Sequence, residues 1–131
     1  YYFDSRKAQR QRTDEEHYAA LEELAGDLPV YKVIVDPSAA SFIECIRRHN
    51  RFAVDPASNR VIDGIRDVAT QLRAGNLFIC DCCADCIREF GLYRWDEKAP
   101  DDRPLKTDDH SMDELRYFVR AVFTPAKFSF K

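Results

Sequence analysis

The sequence predicts an α/β fold with a largely parallel sheet, and three observations carry that reading. Short β-branched runs, the clearest at residues 31–35, alternate three times with helically spaced apolar segments. Two of these runs close on Asp-Pro, at Asp36-Pro37 and Asp55-Pro56, where proline fixes φ and offers a sheet no N–H. Three sequences of the Ser/Thr-x-x-Glu form stand ahead of helical patterns, as capping boxes do.

In chain order, residues 1–4 predict a strand, and residues 5–12 a polar, basic connector. Thr13-Asp14-Glu15-Glu16 opens a helix with Tyr18, Leu21 and Leu24 on one face and Gly26 as its stop. Residues 31–35 form the next strand. Ser41-Phe42-Ile43-Glu44 opens a helix running through Cys45 and Ile46 to about His49, and residues 51–55 form another short strand. Ile62, Ile65, Val68, Ala69 and Leu72 mark an amphipathic helix ending near Gly75. Residues 76–80 read as a further strand. Cys83, Cys86, Ile87 and Phe90 then give a helix with an apolar face. Residues 95–109 are polar and contain proline, so they predict a loop or hairpin. Ser111-Met112-Asp113-Glu114 opens the last helix, whose apolar face is Met112, Leu115, Val119 and Val122.

At 131 residues the chain fits one domain with a real core. Its net charge of −3 excludes a basic field over the whole molecule and leaves nucleic-acid contact to local patches. No apolar run approaches a membrane span and no signal peptide is visible, so no membrane partner is expected. Five cysteines, four of them between Cys80 and Cys86, are not a secreted disulfide framework and point to a reducing, cytoplasmic setting. The opening Tyr1-Tyr2-Phe3 reads as a strand already under way, as in a piece of a longer protein.

Two acidic segments carry the chemistry. Asp36 ends the run Tyr31-Lys32-Val33-Ile34-Val35, and the ligand crevice of a parallel sheet lies beyond such carboxyl ends. His110 and Asp113, three residues apart, share one face of the last helix. Asp113 falls in the first turn, where backbone N–H groups favour the ionised carboxylate that a metal ligand must be. Oxygen ligands of this kind suit Mg²⁺ or Mn²⁺, and two such ions clamp the attacking and leaving oxygens of a phosphodiester. The alternative stays open at this point: Asp before Pro is common turn chemistry, and aspartates near a helix start serve as caps. Asp55 and Asp81 also end predicted strands and remain candidate ligands.

These residues carry a family resemblance. The run from Val33 through Asp36-Pro37-Ser38 to Phe42, and the segment Asp109-His110-Ser111-Met112-Asp113-Glu114-Leu115-Arg116-Tyr117, resemble the nuclease domain of phage terminase large subunits. Tyr2-Phe3-Asp4-Ser5-Arg6 with Thr13-Asp14-Glu15-Glu16, Val61-Ile62-Asp63-Gly64-Ile65-Arg66 and Tyr93-Arg94-Trp95-Asp96-Glu97-Lys98 extend the similarity, in order, over nearly the whole chain. The resemblance implies a ribonuclease H-like fold and metal-dependent cutting of concatemeric phage DNA during packaging. It implies Asp36 as the second catalytic aspartate and His110 and Asp113 as the His and Asp of the C-terminal helix motif, all three as ligands of a two-metal Mg²⁺ or Mn²⁺ site. Asp109 is a neighbour with at most a supporting role. The family's first catalytic aspartate lies on an opening strand that no segment here matches. Nothing resembles a Gly-rich, Lys-containing phosphate loop either, so the expectation is a single partial nuclease domain, residues 1–131, without its ATPase domain. Double-stranded DNA, a terminase small subunit and a portal protein are the implied partners, and the cytoplasm of a bacterial host the implied location. Arg6, Lys7, Arg10, Arg12, Arg47, Arg48 and Arg51 are candidate phosphate contacts, with Lys98, Arg103 and Lys106 favoured by their place in the loop before the acidic motif.

Cys80-Asp81-Cys82-Cys83-Ala84-Asp85-Cys86 offers a second, different reading, a small zinc-binding adaptor. Zinc ligands usually come from two separated pairs, however, and Cys83 and Cys86 fall on a helix face with Ile87 and Phe90, which favours packing. A third reading is a non-catalytic assembly or DNA-binding module whose acidic residues are caps.

Overall fold

The computed structural model describes residues 10–124, and the strand expected at residues 1–4 lies outside them, as do Arg6 and Lys7. Five helices and two strands appear among the described residues: α1 (Asp14–Ala25), β1 (Val33–Val35), α2 (Ala40–His49), β2 (Val54–Pro56), α3 (Val61–Arg73), α4 (Ala84–Leu92) and α5 (His110–Phe123). The chain divides into two compact units, with the boundary between Asn59 and Arg60.

The first unit is built on a parallel strand pair. Val33 pairs with Val54, Ile34 with Asp55 and Val35 with Pro56. Parallel neighbours need a crossover, which α2 supplies, so β1-α2-β2 is a βαβ unit. This bears out the α/β reading. Pro56 takes a strand position and ends the pair, and the next donor, Ala57 N–H, closes on Val35 O at 2.7 Å. α1 starts as its sequence predicts. The Thr13 hydroxyl accepts from Glu16 N–H at 3.3 Å, and Glu16 Oε2 accepts from Thr13 N–H at 2.8 Å. Gly26, at φ +51°, ends the helix in a conformation that glycine adopts without a Cβ penalty. The core joins Tyr18, Ala25, Val35, Ile43, Ile46, Phe52 and Val54, with Cys45 and Ile46 fully buried. Leu24, expected on the apolar face of α1, is 61% exposed.

In the second unit, α3 and α5 pack together and α4 rests on α5. Val68 on α3 and Met112, Tyr117 and Val119 on α5 are the buried apolar side chains of these two helices. The segment 95–104 is a small hairpin closed by an antiparallel bridge between Trp95 and Pro104. Residues 76–80, expected as a strand, form none, and Phe78 is 82% exposed. Among the described residues this segment has no neighbouring ladder to join, and propensity alone does not make a strand. On α4 the expected apolar face is largely open: Cys83 is exposed, and Ile87 and Phe90 are half-buried at best. Val122 at the end of α5 is likewise exposed. Two capping boxes are also corrected. α2 starts at Ala40 with Ser41 inside it and no side-chain cap, and α5 starts at His110 with Ser111 inside it.

Truncating Ile46 to Ala removes fully buried methyl groups from the first unit's core and should cost about 2–5 kcal/mol in urea unfolding. The Thr13 N–H first, and then Arg10, hold the Glu16 carboxyl below its ordinary value of 4.5. A depressed folded-state value means the stabilisation is present above the unfolded pKa and is lost as pH falls through the folded one. The stability difference between the parent and Glu16→Ala should therefore narrow as urea melts are moved from neutral pH into the acid range below 4.5; a gap independent of pH would contradict it.

Candidate functional site

Asp36 leaves β1 directly into a tight turn. Its Oδ1 accepts from Ser38 N–H at 2.7 Å and from the Ser38 hydroxyl at 2.6 Å, and its carbonyl accepts from Ala39 N–H at 3.0 Å. Such an Asx-turn explains the Asp-Pro-Ser sequence and orients the carboxylate at the strand's exit. Asp55, expected to end its strand, instead lies inside β2 opposite Ile34 and forms an ion pair with Lys32 at 2.5 Å. Lys32 is held above its ordinary pKa by that partner. Asp81 is exposed in a turn before α4.

His110 and Asp113 both lie in the first turn of α5, as the three-residue spacing requires. His110 is exposed. Asp113 is one-fifth exposed and forms an ion pair with Arg116, a residue 3% exposed. Arg116 Nε and Nη1 are buried with no hydrogen-bond partner, and the buried Tyr93 hydroxyl beside them has none either. Burial pushes the Tyr93 hydroxyl pKa up, the Arg116 guanidinium partly opposing it. Gly64 on α3 makes room for this arginine: a Cβ there would meet the Arg116 side chain at 3.2 Å. Deeper along the same interface, Arg120 reaches Asp67 on α3 at 2.6 Å.

What holds this turn in place is a residue that the sequence did not flag. Glu89 on α4 is completely buried, and its Oε2 accepts from Ser111 N–H at 2.7 Å and Met112 N–H at 3.3 Å. The N-cap residue Asp109 makes no side-chain capping bond, so a carboxylate from another helix satisfies the orphan N–H groups in its stead. Charge-assisted bonds to a helix N-terminus are among the stronger protein hydrogen bonds. Arg88 adds a cation at 3.4 Å from Glu89 and 3.1 Å from Asp108, whose φ of +50° turns the chain into Asp109. A glutamate on the polar side of Ile87 and Phe90 looks like ordinary surface charge in one dimension. The only hint was its distance of one helical turn from Asp85 and Tyr93 on a helix preceding the acidic motif.

The basic loop residues are exposed. Arg103 faces Asp96 at 3.8 Å and Asp101 at 3.9 Å, and Lys106 faces buried Asp109 at 3.9 Å. At such separations these are loose pairs that leave the cations accessible. Arg10 is engaged with Glu16 and Arg51 with Glu22. The cysteine segment is not gathered into a metal-sized set. Cys80, Cys82 and Cys83 are exposed and Cys86 is partly buried, and among the described residues no three of their sulfurs and nearby donors lie within 4.8 Å of one another. The Cys83 thiol is pushed up, first by desolvation and then by its neighbours Cys82 and Cys80.

The first unit is a βαβ unit with the Asp36 carboxylate at its strand exit, and the second is helical, with Asp113 in the anchored first turn of α5; together they make an α/β chain. No protein-family model matches the sequence. The chain is 25% identical over 128 residues to the terminase large subunit of Escherichia phage T5, covering 93% of this chain and 29% of that protein. Its structure matches the large terminase of a thermophilic bacteriophage in complex with ADP at a TM-score of 0.89 and 43% identity, covering 94% of this chain and 32% of that one. A second crystal form of the thermophilic phage's protein gives 0.88 at the same identity. The chain is thus related, along nearly its whole length, to phage terminase large subunits, and it spans about a third of the relatives it matches.

Replacing Glu89 with Ala leaves two buried N–H groups at the start of α5 unsatisfied and should cost about 1.5–3 kcal/mol, with Glu89→Gln losing less. Guanidinium titrations of the three proteins decide it. Identical midpoints would mean that the helix end finds other acceptors.

Proposed function

We propose that this chain supplies part of the DNA-cutting nuclease of a phage large terminase, with Asp36, His110 and Asp113 as ligands for Mg²⁺ or Mn²⁺. The match to the large terminase of the thermophilic phage, 43% identical over 94% of the chain, carries this reading. The donor chemistry fits the ions: two carboxylates and an imidazole are oxygen-rich and contain no thiolate, which suits hard divalent cations. When bound, such ions activate water and neutralise charge on the departing oxygen of a phosphodiester.

The chain's own residues do the remaining work. The Ser38 bonds aim the Asp36 carboxylate out of the strand end. Glu89 fixes the helix turn that carries His110 and Asp113. The His110 imidazole, exposed on that turn, serves as a ligand or orients the attacking water. Asp113 rests against Arg116, so that its charge is neutralised by a neighbouring cation before any ion arrives. Lys98, Arg103 and Lys106 are assigned to phosphate contacts, and because phosphates carry no base information, cutting is largely sequence-blind. The nucleotide held by the thermophilic phage's protein is not transferred to this chain, which has no Gly-rich phosphate loop. Double-stranded DNA, the terminase small subunit and the portal protein are the proposed partners, in the host bacterium's cytoplasm. No described helix is long and apolar enough to cross a membrane.

The test is plasmid nicking with Mn²⁺ by the large terminase that carries this segment, comparing parent with Asp36→Ala, His110→Ala and Asp113→Ala. Loss of nicking on the order of a hundredfold or more is expected for each aspartate. Equal nicking in all four would remove these residues from the reaction and leave a non-catalytic assembly module.

A further inference from the structure

A second donor set lies in the first unit and shares no residue with the set assigned above. Glu15 from the first turn of α1, and Cys45 and His49 from α2, bring one oxygen, one sulfur and one nitrogen within 4.8 Å of one another. Cys45 and His49 are four apart, so α2 presents both on one face, the spacing with which a rigid helix offers two ligands to one ion. Glu15 completes the set from across the helix pair, its Oε2 at 2.7 Å from His49 Nε2. The imidazole is already immobilised: it stacks on the buried Tyr18 ring at 3.7 Å with planes 6° apart. Cys45 is fully buried at the floor, while Glu15 and His49 are exposed at the rim. A soft donor below and two harder donors above leave the remaining direction open to water.

We propose that Glu15, Cys45 and His49 form a site for a borderline-soft divalent ion of the zinc type, with water as its fourth ligand. Bonds of about 2.0–2.3 Å in a tetrahedron need donors roughly 3.2–3.7 Å apart. The glutamate must therefore withdraw by about half an ångström from His49, which its exposed rotamer permits. Arg48 lies at 3.5 Å from Oε1, the other carboxylate oxygen, so it does not occupy the facing one. Burial holds the Cys45 thiol above its ordinary pKa, so the ion displaces a proton as it binds the sulfur. The Cys45 thiolate is a soft donor that Mg²⁺ and Ca²⁺ disfavour, and it separates this site chemically from the thiolate-free set under Proposed function. The ion would cross-link α1 to the end of α2. The competing account is a plain interhelical Glu15–His49 ion pair above a core thiol.

The experiment uses Co²⁺ alone as probe, with the full chain carrying Cys80, Cys82, Cys83 and Cys86 as Ser. Cys45 is then the one thiol present, so a thiolate-to-cobalt charge-transfer band reports on this site and is blind to Asp36, His110 and Asp113. The band should saturate at one equivalent, disappear on adding Zn²⁺ and be absent in Cys45→Ser. Affinity should fall roughly tenfold or more in Glu15→Gln and His49→Gln. Glu15→Gln leaves the His49–Tyr18 stack and the core intact and decides the matter even where Cys45→Ser fails to fold. No band at saturating Co²⁺, or a band unchanged in both glutamine variants, overturns the proposal in favour of the ion pair.

Discussion

A completely buried carboxylate governs the second unit. Glu89 has no water to solvate it, so it persists only with partners, and it finds them in the backbone N–H groups that open α5. The need is mutual, because the first N–H groups of a helix have no partners of their own. This exchange joins α4 to α5, and it sets the orientation of the turn from which His110 and Asp113 project. An apolar residue at position 89 would pack, yet it would leave the helix start unsatisfied. The acidic motif therefore depends on a side chain that lies more than twenty residues before it.

The opposite side of α5 follows the same pairing of charge. Arg116 and Arg120 face α3 beside the buried Val68 and Val119, and each takes a carboxylate, Asp113 or Asp67. Gly64 is the concession that α3 makes, because a Cβ there would stand 3.2 Å from the Arg116 side chain and force it to shift. Arg116 retains two buried nitrogen donors without acceptors, an unmet demand beside the carboxylate proposed to hold metal.

The first unit is held differently. Its core is apolar, its strands are parallel, and its polar detail is confined to turns and to the α1–α2 rim. Asp36 stands where a parallel strand delivers its last residue, and the short Asp-Pro-Ser turn converts that position into a fixed carboxylate. In the same unit Glu15, Cys45 and His49 meet because two helices pack on Tyr18 and Ile46, not because of any local motif.

Much of this was legible in one dimension where the governing physics is local. The Thr13 capping box, the Gly26 stop and the amphipathic α3 each depend on residues within one helix, and each stands as read; β1 keeps its place but is shorter than the run 31–35, with Tyr31 exposed. The resemblance to terminase large subunits, and with it the proposal of Asp36, His110 and Asp113 as ligands, also came from contiguous runs. What only the folded chain decided was which charges are buried and whom they serve. Ser41 and Ser111 had the right spacing for caps, yet both sit inside their helices, and Glu89 caps α5 from a distance. Residues 76–80 had strand composition and no ladder to join. The physical reason is common to all of these: a hydrogen bond or ion pair made between elements stabilises appreciably only where water is excluded, and exclusion is a property of packing that no short stretch of sequence contains.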